Sequence, residues 1–279
     1  MRTWFITGAS RGFGALIVQH ALTAGDNVVA TARNPQPLVE RFGAHPRLLA
    51  LPLDVTQEDQ AHIVAAAAVK RFGRIDVLVN NAGFGLLGAV EEATGEEIER
   101  LYRTNVFGLL AVTRAVLPHM RAQRSGHILN ISSVGGYQSG PGFGVYCSTK
   151  FAVEGITEAL AAELAPLGIK VTVIEPGYFR TDFLDASSLM VSPMRIADYD
   201  ATAGVVRDHA AKVSHNQPGD PDKLARAIVA LGGVADAPLR MPYGSDTVAA
   251  IEAKNAFVAG ELAQWRGVSV STDFLAEAA

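Results

Sequence analysis

The sequence predicts a single α/β domain in which helices cover both faces of one parallel sheet, the doubly wound arrangement. Short apolar runs, rich in β-branched or aromatic residues, alternate along the chain with longer helical patterns. Runs such as residues 77–79 and 171–174 are apolar almost throughout, as strands covered on both faces must be. The 279 residues, 49% of them hydrophobic and 19% charged, provide enough apolar material for one core.

Strands and helices are predicted to follow each other in strict alternation through the first part of the chain. The predicted strands are residues 4–6, 27–31, 48–53, 75–79, 127–131 and 169–174. The predicted helices are residues 12–24, 57–72, 96–122 and 146–167. Because strand–helix–strand units form right-handed crossovers, this alternation builds a parallel sheet.

The pattern loosens after residue 181. Residues 182–217 scatter large apolar residues among small and polar ones, and we expect them to form helices that cover the sheet edge as a lid. A helix over residues 221–231, a short strand over 239–242, a final helix over 246–264 and a tail over 265–279 are expected to follow. No repeat or linker rich in Pro, Gly and Ser divides the sequence, so residues 1–279 are expected to be one domain.

Composition argues against several classes of protein. The net charge of -4 gives no electrostatic case for a nucleic acid or an anionic membrane as partner. The first strand begins too early for a secretory signal peptide, and no window could span a bilayer, so we expect a cytoplasmic protein. The single cysteine, Cys147, cannot form an internal disulfide, and packing on a helix is the favoured interpretation over redox chemistry. Histidines and acids show no metal-ligand spacing, so no metal site is predicted.

A glycine-rich turn follows the first strand and opens the first helix. Without Cβ atoms, Gly8, Gly12 and Gly14 would let a pyrophosphate approach the helix N–H groups and the positive end of the helix dipole. The spacing Gly-x-x-x-Gly-x-Gly therefore predicts a phosphate-binding turn, the alternative being a tight turn without a ligand. The same turn contains Ser10, Arg11 and Phe13.

A second motif places Tyr146 and Lys150 four residues apart at the start of a helical pattern. Residues four apart share a helix face, so the ammonium would lie beside the phenol. A free tyrosine titrates near pH ~10, and a neighbouring cation lowers that pKa. The pair therefore predicts a tyrosine that exchanges protons at neutral pH. Ser132 and Ser133 add hydroxyls at the end of the fifth strand, at the edge where open α/β sheets bind ligands.

Together these motifs resemble the short-chain dehydrogenase/reductase family, in its compact type. The matching motifs run from residue 7 to residue 181, and the remainder resembles hydroxysteroid and retinol dehydrogenase-like members more loosely. The resemblance implies one Rossmann-type domain that transfers hydride reversibly between a nicotinamide cofactor and the carbonyl or secondary alcohol of an apolar small molecule. Because cells generally hold NADP reduced, reduction is the expected direction.

The resemblance also assigns four catalytic positions. Tyr146 would act as general acid and base, while Lys150 would lower its pKa and bind the nicotinamide ribose. Counting back from Tyr146 by the family's usual interval selects Ser133 to hold the substrate oxygen and leaves Ser132 as a strand-end turn hydroxyl. Asn105, which has a low helix propensity yet lies inside a predicted helix, would hold the water that relays the proton.

Residues at the adenosine end of the cofactor site predict which cofactor, NADP(H) or NAD(H), is preferred. Arg33 follows the second strand, where many NAD-binding folds place an acid. A guanidinium there would attract an adenosine 2′-phosphate, and Arg11 could close on it, so we predict NADP(H) over NAD(H) unless Arg33 is a solvated surface residue. The resemblance implies that Asp54, followed by Val55, contacts adenine; an alternative role, compatible with the first, is to cap the helix that begins near residue 57. The other cofactor positions implied by the resemblance are Asn81, Ala82, Gly83, Pro176, Gly177, Phe179 and Thr181.

Two further functions share this fold. A non-catalytic NADP-sensing regulator would typically lack the tyrosine or the lysine. An epimerase or dehydratase would usually carry a different glycine spacing and a larger C-terminal substrate domain. The resemblance also implies a homodimer or homotetramer that pairs through the predicted helices at residues 96–122 and 146–167.

Overall fold

The computed structural model describes residues 1–274, and its main sheet is parallel throughout. Seven strands form it in the order β3-β2-β1-β4-β6-β7-β9, and β5 and β8 form a separate parallel pair. Because the strand order reverses between β1 and β4, a crevice opens beyond their carboxyl ends. The predicted doubly wound fold is confirmed. In chain order the strands are β1 (Thr3–Ile6), β2 (Asn27–Ala32), β3 (Leu48–Pro52), β4 (Val77–Asn80), β5 (Gly85–Leu87), β6 (Gly126–Ile131), β7 (Ile169–Pro176), β8 (Leu189–Val191) and β9 (Arg240–Tyr243).

Helices cover both faces of the sheet. The helices are α1 (Gly12–Thr23), α2 (Gln36–Phe42), α3 (Glu58–Phe72), α4 (Gly95–Tyr102), α5 (Leu109–Gln123), α6 (Gly144–Leu164), α7 (Val205–Val213), α8 (Pro221–Leu231) and α9 (Ser245–Val270). Alternate residues of β1 point to opposite faces: Trp4 and Ile6 belong to the core formed with α1 and α8, and Phe5 to the core formed with α3 and α5. The inner strands β1, β2, β4, β6 and β7 are therefore buried on both sides, which explains their largely apolar character.

The long helix predicted over residues 96–122 is interrupted. The segment Arg103–Gly108 between α4 and α5 is π-helical, and it contains Asn105. Thr94 starts α4 through a capping box, in which its hydroxyl accepts from Glu97 N at 3.2 Å while Glu97 Oε2 accepts from Thr94 N at 2.8 Å. A π-helical turn inside an α-helix is rare and often marks a functional position.

The fourth strand starts two residues later than predicted. Ile75 is fully buried, but Gln123 satisfies its backbone: Gln123 Oε1 accepts from Ile75 N at 3.1 Å, and Gln123 Nε2 donates to Ile75 O at 2.8 Å. The apolar run therefore begins before the strand does. The last strand is also shifted by one residue, to Arg240–Tyr243.

Residues 182–217 are less helical than predicted. Besides α7 they contain strand β8, which pairs with β5, and short turns of 3-10 and π helix. Strands of three residues show no measurable periodicity, and their partners lie far apart in the sequence, so this small sheet could not be predicted. Helix α2 was not predicted either.

The predicted C-terminal tail is partly wrong. Helix α9 continues to Val270, so residues 265–270 are helical, and residues 275–279 of that tail lie outside the described residues. Within residues 1–274, the helices are all too short or too polar to cross a membrane.

Candidate active site

The side chains of Tyr146 and Lys150 lie one turn apart on α6, and both are almost completely buried. Lys150 Nζ lies 5.8 Å from the centre of the Tyr146 ring and donates a hydrogen bond to Ile131 O at 2.8 Å. Ile131 is the last residue of β6, so this bond ties α6 to the strand that leads to Ser133. The structure therefore brings three of the predicted catalytic residues to one edge of the sheet.

Burial governs the titration of both groups. It raises the pKa of the Tyr146 phenol above its ordinary value, while a hydrogen bond with Ser133 opposes that rise. It lowers the pKa of Lys150 to about 8, although the charge of Glu154 opposes the fall. The expected lowering of the tyrosine pKa by the lysine is therefore not found, because the removal of both groups from water has the larger effect.

The side-chain amide of Asn105, in the π-helical segment, makes three hydrogen bonds. Its Oδ1 accepts from Phe84 N at 3.1 Å, and its Nδ2 donates to Phe84 O at 2.9 Å and to Thr149 Oγ1 at 3.2 Å. The side chain thus ties the turn after β4 to α6 beside Lys150. A Cβ atom on Gly83 would lie 3.1 Å from Asn105 Oδ1 and 3.9 Å from Lys150 Nζ, so only a small residue fits between them.

The two serines after β6 differ in their surroundings. Ser133 Oγ accepts from Gly135 N at 3.0 Å, and Ser133 lines both cavities described below. Ser132 is buried, and its hydroxyl lies so near Gly136 that a Cβ there would overlap it. Burial raises the pKa of the nearby Glu154 carboxyl to about 7. This difference supports the choice of Ser133 over Ser132.

A cleft of about 1090 Å³ opens at the carboxyl ends of β1 and β4. Most of the predicted cofactor residues line it, but Gly14, Phe179 and Thr181 do not. Gly14 packs behind the turn, Phe179 lines a second cavity, and the Thr181 hydroxyl accepts from Phe183 N at 3.3 Å. The predicted residues in the cleft are Gly8, Ser10, Arg11, Gly12, Phe13, Arg33, Asp54, Val55, Asn81, Ala82, Gly83, Tyr146, Lys150, Pro176 and Gly177.

The glycine-rich turn fits a dinucleotide phosphate. Gly8 has φ +61°, and a Cβ there would lie 2.9 Å from Ala82 Cα. Gly12 has φ +53° with no atom within 4 Å of its Cβ position, so the turn is open on that side. No side chain caps the start of α1 at Arg11, which leaves its first N–H groups available to an anion.

Thr7 and Asn81 hold this turn in place. Thr7 Oγ1 accepts from Asn81 N and from Ala82 N, each at 3.0 Å. Asn81 Nδ2 donates to the carbonyls of Thr7 and Gly8, also at 3.0 Å. The side-chain amide of Asn81 therefore makes its hydrogen bonds within the protein. Its predicted role beside the cofactor is thus to support the glycine-rich turn. Sequence reasoning did not identify Thr7 as a site residue, because threonine is common in strands and attracts no notice there.

The three charged residues predicted at the adenosine end have different surroundings. Arg33 is exposed at the rim of the cleft and makes no hydrogen bond or ion pair within residues 1–274. The Arg11 guanidinium donates to the carbonyl of Ser187 in the lid segment. Asp54 Oδ1 accepts from Thr56 N at 3.0 Å and from Thr56 Oγ1 at 2.8 Å, and no side chain caps α3. The alternative that Asp54 caps this helix is therefore wrong.

A second cavity of about 270 Å³ adjoins the cleft. Its walls are mainly aromatic and aliphatic, and Tyr146 packs there against Phe143 and Phe183, with ring centres 6.0 and 5.5 Å apart. Ser133 and Tyr146 line both the cavity and the cleft. The remaining apolar walls come from Phe13, Val134, Pro141, Cys147, Tyr178, Phe179, Leu184 and Val206.

Two further residues of this cavity are informative. Gln217 is 2% exposed, and neither atom of its side-chain amide has a hydrogen-bond partner among the described residues. No sequence signal pointed to it. Cys147 is buried, and burial raises the pKa of its thiol, which agrees with packing rather than redox chemistry.

Asp182, Asp185 and His215 come together in the lid segment, although no spacing in the sequence suggested it. Their potential ligand atoms lie within 4.8 Å of one another. Asp185 accepts from Ser214 Oγ at 2.9 Å and lies 3.1 Å from His215 Nε2. These hydrogen bonds tie Asp185 to the loop that contains Ser214 and His215.

The chain is similar in sequence and in fold to known proteins. The sequence model of the short chain dehydrogenase family matches residues 2–191. The oxidoreductase BOA17 of Botryotinia fuckeliana is 39% identical over 274 residues, covering 97% of this chain and 99% of its own. The crystal structure of a short-chain dehydrogenase from Streptomyces avermitilis, 43% identical, superposes with a TM-score of 0.91 over 98% of this chain and 99% of that one.

A more distant structure, described as ElxO with NADP bound, is 26% identical and superposes with a TM-score of 0.74 over 89% of this chain and 99% of its own. The likeness to hydroxysteroid and retinol dehydrogenases stays a prediction. The family match, the full-length oxidoreductase relative and the shared fold together identify the chain as a member of the short-chain dehydrogenase family, an enzyme that acts on CH–OH and C=O groups.

Proposed function

We propose that this enzyme reduces a ketone or aldehyde of a largely apolar small molecule with NADPH, and catalyses the reverse oxidation. One observation carries the proposal: Ser133 and Tyr146 form part of the wall of both cavities. A nucleotide in the 1090 Å³ cleft and a substrate in the 270 Å³ cavity would therefore meet at a proton donor. The apolar walls of the smaller cavity support an apolar substrate.

The residues of the cleft would hold the cofactor by its phosphates and its ribose. The uncapped start of α1 and the turn from Gly8 to Gly14 would bind the pyrophosphate. Lys150 would bind the ribose next to the nicotinamide, as the family resemblance implies. When bound, the nicotinamide supplies or accepts the hydride.

Tyr146 and Ser133 would act on the substrate oxygen. Burial raises the pKa of Tyr146, so the phenol carries its proton and can donate it to the oxygen as negative charge develops there. Ser133 would donate a second hydrogen bond to the same oxygen. With a pKa of about 8, Lys150 can take up and release a proton near neutral pH and so pass it on.

The preference for NADP(H) rests on Arg33. It lies at the rim of the cleft after β2, and no acidic residue occupies the end of that strand. A 2′-phosphate would find a guanidinium there that is not engaged elsewhere within the described residues. Arg11, bonded to the Ser187 carbonyl, would have to leave that bond to reach the same phosphate.

The test measures oxidation of NADPH and NADH by absorbance with a panel of aldehydes, aromatic ketones, quinones, steroids and retinal. We expect NADPH-dependent turnover, and Tyr146→Phe should lower kcat/KM by roughly 1000-fold while NADPH binding persists. Tyr102→Phe is the matched control, because its hydroxyl lies 2.8 Å from Oγ of the exposed Ser148, and its loss should leave turnover unchanged. Equal activity in Tyr146→Phe would remove Tyr146 from the mechanism.

The same experiment distinguishes a reductase from the two alternative functions, a non-catalytic NADP sensor and an epimerase or dehydratase. A sensor would bind NADPH without turnover of any carbonyl and without a response to Tyr146→Phe. An epimerase or dehydratase would convert its substrate without net consumption of NADPH. The oxidoreductase relative supports the reductase over both alternatives.

A further inference from the structure

Two buried carboxyl groups lie behind the active site and take no part in the proposed proton transfer. Glu154 lies on α6, one turn after Lys150. Glu175 is the residue of β7 before Pro176, which lines the cleft. Both glutamates are buried, and neither lines the cleft or the cavity. A buried carboxylate is costly unless it is paired, so these two require a positively charged partner.

Arg240, on the edge strand β9, provides the positive charge for both glutamates. Its Nη1 donates to Glu175 Oε1 at 2.9 Å and also to Glu154 Oε2. Its Nη2 donates to Glu158 Oε1, at the exposed side of α6. Arg240 is paired in register with Val173 of β7, which packs against α6, so the arginine lies on the sheet face that α6 covers. One guanidinium therefore joins α6 to β7.

The charges of this cluster are only partly compensated. Within residues 1–274, Glu154 Oε1, Glu175 Oε2 and the buried hydroxyl of Ser132 have no hydrogen-bond partner. A Cβ atom on Gly136 would overlap the Ser132 hydroxyl and lie 2.8 Å from Glu154 Oε1, so these two groups are neighbours. Loss of the guanidinium would leave each of the two buried carboxylates exposed to the charge of the other.

The three segments that meet at Arg240 also carry the active site. The turn after β6 carries Ser133, and the Tyr137 ring at the end of that turn has its centre 5.7 Å from the Arg240 Cζ atom. Helix α6 carries Tyr146 and Lys150, and β7 ends at the loop that lines both the cleft and the cavity. A displacement of about 1 Å between such segments can lower a reaction rate by roughly 100-fold.

We propose that Arg240 is a positioning residue of the reductase: by neutralising Glu154 and Glu175 together, it fixes the three segments that carry the catalytic side chains. This inference rests on the proposed function, because it concerns the geometry in which hydride and proton reach the substrate. Arg240 lines neither the cleft nor the cavity, so it acts through the two glutamates and not by contact with substrate or cofactor.

The charge of the glutamate pair makes this role dependent on pH. Burial raises the pKa of Glu154 to about 7, the charge of Glu175 adds to the rise, and the Arg240 guanidinium opposes it. Without the guanidinium this pKa is higher still, so at low pH a proton on Glu154 replaces the missing positive charge. As the pH rises that proton leaves, and the two carboxylates repel each other. The charged or titratable groups around Glu154 are Lys150 and Glu158 on α6, Glu175 on β7, Arg240 on β9 and Tyr137 in the turn after β6.

The kinetics of Arg240→Met test the role of the guanidinium. Relative to the wild type at the same pH, its kcat should be close to normal at pH 6 and lower by roughly 100-fold at pH 9. The comparison at equal pH removes the titration of Tyr146 and Lys150 that both proteins share. Glu158→Gln, which removes the exposed partner of Arg240, is the matched control and should keep the wild-type kcat at both pH values. A loss in Arg240→Met that is equal at pH 6 and pH 9, or absent at both, would overturn the proposal.

Rescue variants separate positioning from a purely structural role. Arg240→Met combined with Glu154→Gln removes one of the repelling charges, so most of the activity lost at pH 9 should return. Arg240→Lys keeps the positive charge and should also retain activity. Circular dichroism selects conditions in which each variant is folded, and if Arg240→Met does not fold, the double variant and Arg240→Lys carry the test. Lower stability with wild-type kcat in folded Arg240→Met, or a double variant and Arg240→Lys that are both folded and inactive, would overturn positioning.

NADPH binding distinguishes the failure of this inference from the failure of the proposed function. Lys150 and the end of β7 line the cleft, so Arg240→Met should weaken NADPH binding more at pH 9 than at pH 6 in calorimetric titration. A wild type that binds NADPH but reduces no carbonyl would end the proposed function. The affinities would then decide the role of Arg240, and equal NADPH affinities of Arg240→Met and the wild type at pH 9 would overturn it.

Discussion

The large cleft and the small cavity share Ser133 and Tyr146, but they are built from different parts of the chain. Glycines and short turns at the ends of β1, β4 and β7 line much of the cleft. Side chains from the turn after β6, the lid segment and the loop before α8 line the cavity. The cleft therefore depends on close backbone contacts, whereas the cavity depends on packing between segments that are distant in sequence. Substitutions in the cleft and in the cavity should therefore differ in their effects on stability and on ligand binding.

The largest effect is expected at Gly14, which packs behind the glycine-rich turn that lines the cleft. A Cβ there would overlap the Gly8 carbonyl oxygen and lie 2.7 Å from Asn81 Nδ2. Because these neighbours belong to the turn itself, Gly14→Ala should destabilise the protein by about 3 kcal/mol and abolish NADPH binding. Urea unfolding and calorimetric titration with NADPH measure both effects.

Gly155→Ala is the control for that substitution. Its Cβ position on α6 has no atom within 4 Å, and alanine is the better helix former, so stability should rise by about 1 kcal/mol. If Gly14→Ala bound NADPH as tightly as the wild type, close backbone contact would not be what shapes the cleft.

The same difference in construction decides what the sequence could predict. Gly8, Gly12 and the Tyr146–Lys150 pair are local patterns next to predictable strands and helices, so they could be placed in the cleft from sequence alone. The cavity could not be predicted, because Val206 and Gln217 reach it only through the fold of the lid segment. The π-helical turn at Asn105 and the small sheet of β5 and β8 escaped prediction because neither has a periodic signal of its own.

The next effect concerns Lys150, at the base of the cleft. Its pKa is lowered from 10.5 to about 8, so between these values the unfolded chain holds a proton that the folded protein lacks. Stability therefore rises with pH across this window, and below it the wild type bears the full cost of the buried ammonium. Lys150→Met should stabilise the free protein by about 2 kcal/mol near pH 7, with a smaller gain near pH 10, and abolish turnover.

Urea unfolding at the two pH values measures this gain. Lys70→Met, at an exposed position of α3, should change the stability little at either pH. A loss of stability in Lys150→Met at neutral pH would show that the bond from Lys150 to Ile131 O outweighs the cost of burial. In that case the lysine would be a structural residue as well as a functional one.

A smaller effect is expected at the adenosine end of the cleft. Arg33→Ala should weaken NADPH binding by roughly 10- to 100-fold and leave NADH binding unchanged, because only NADPH carries the 2′-phosphate. Arg41→Ala, whose guanidinium bonds the exposed Gln19 side chain at 3.1 Å, should change neither affinity. Calorimetric titration with both nucleotides gives the comparison, and equal losses for NADPH and NADH would end the assignment of NADP preference to Arg33.

The smallest effect is expected in the cavity, at Gln217. Its buried amide lacks partners among residues 1–274, and such a group costs roughly 1–3 kcal/mol when it is unsatisfied. Gln217→Leu should therefore stabilise the free protein by about 1 kcal/mol in urea unfolding. Gln138→Leu alters an exposed glutamine of the same cavity and should leave the stability unchanged. A loss of stability in Gln217→Leu would show that the amide is satisfied by water in solution, so that the cavity is wet at this end and a substrate must displace that water to bind there.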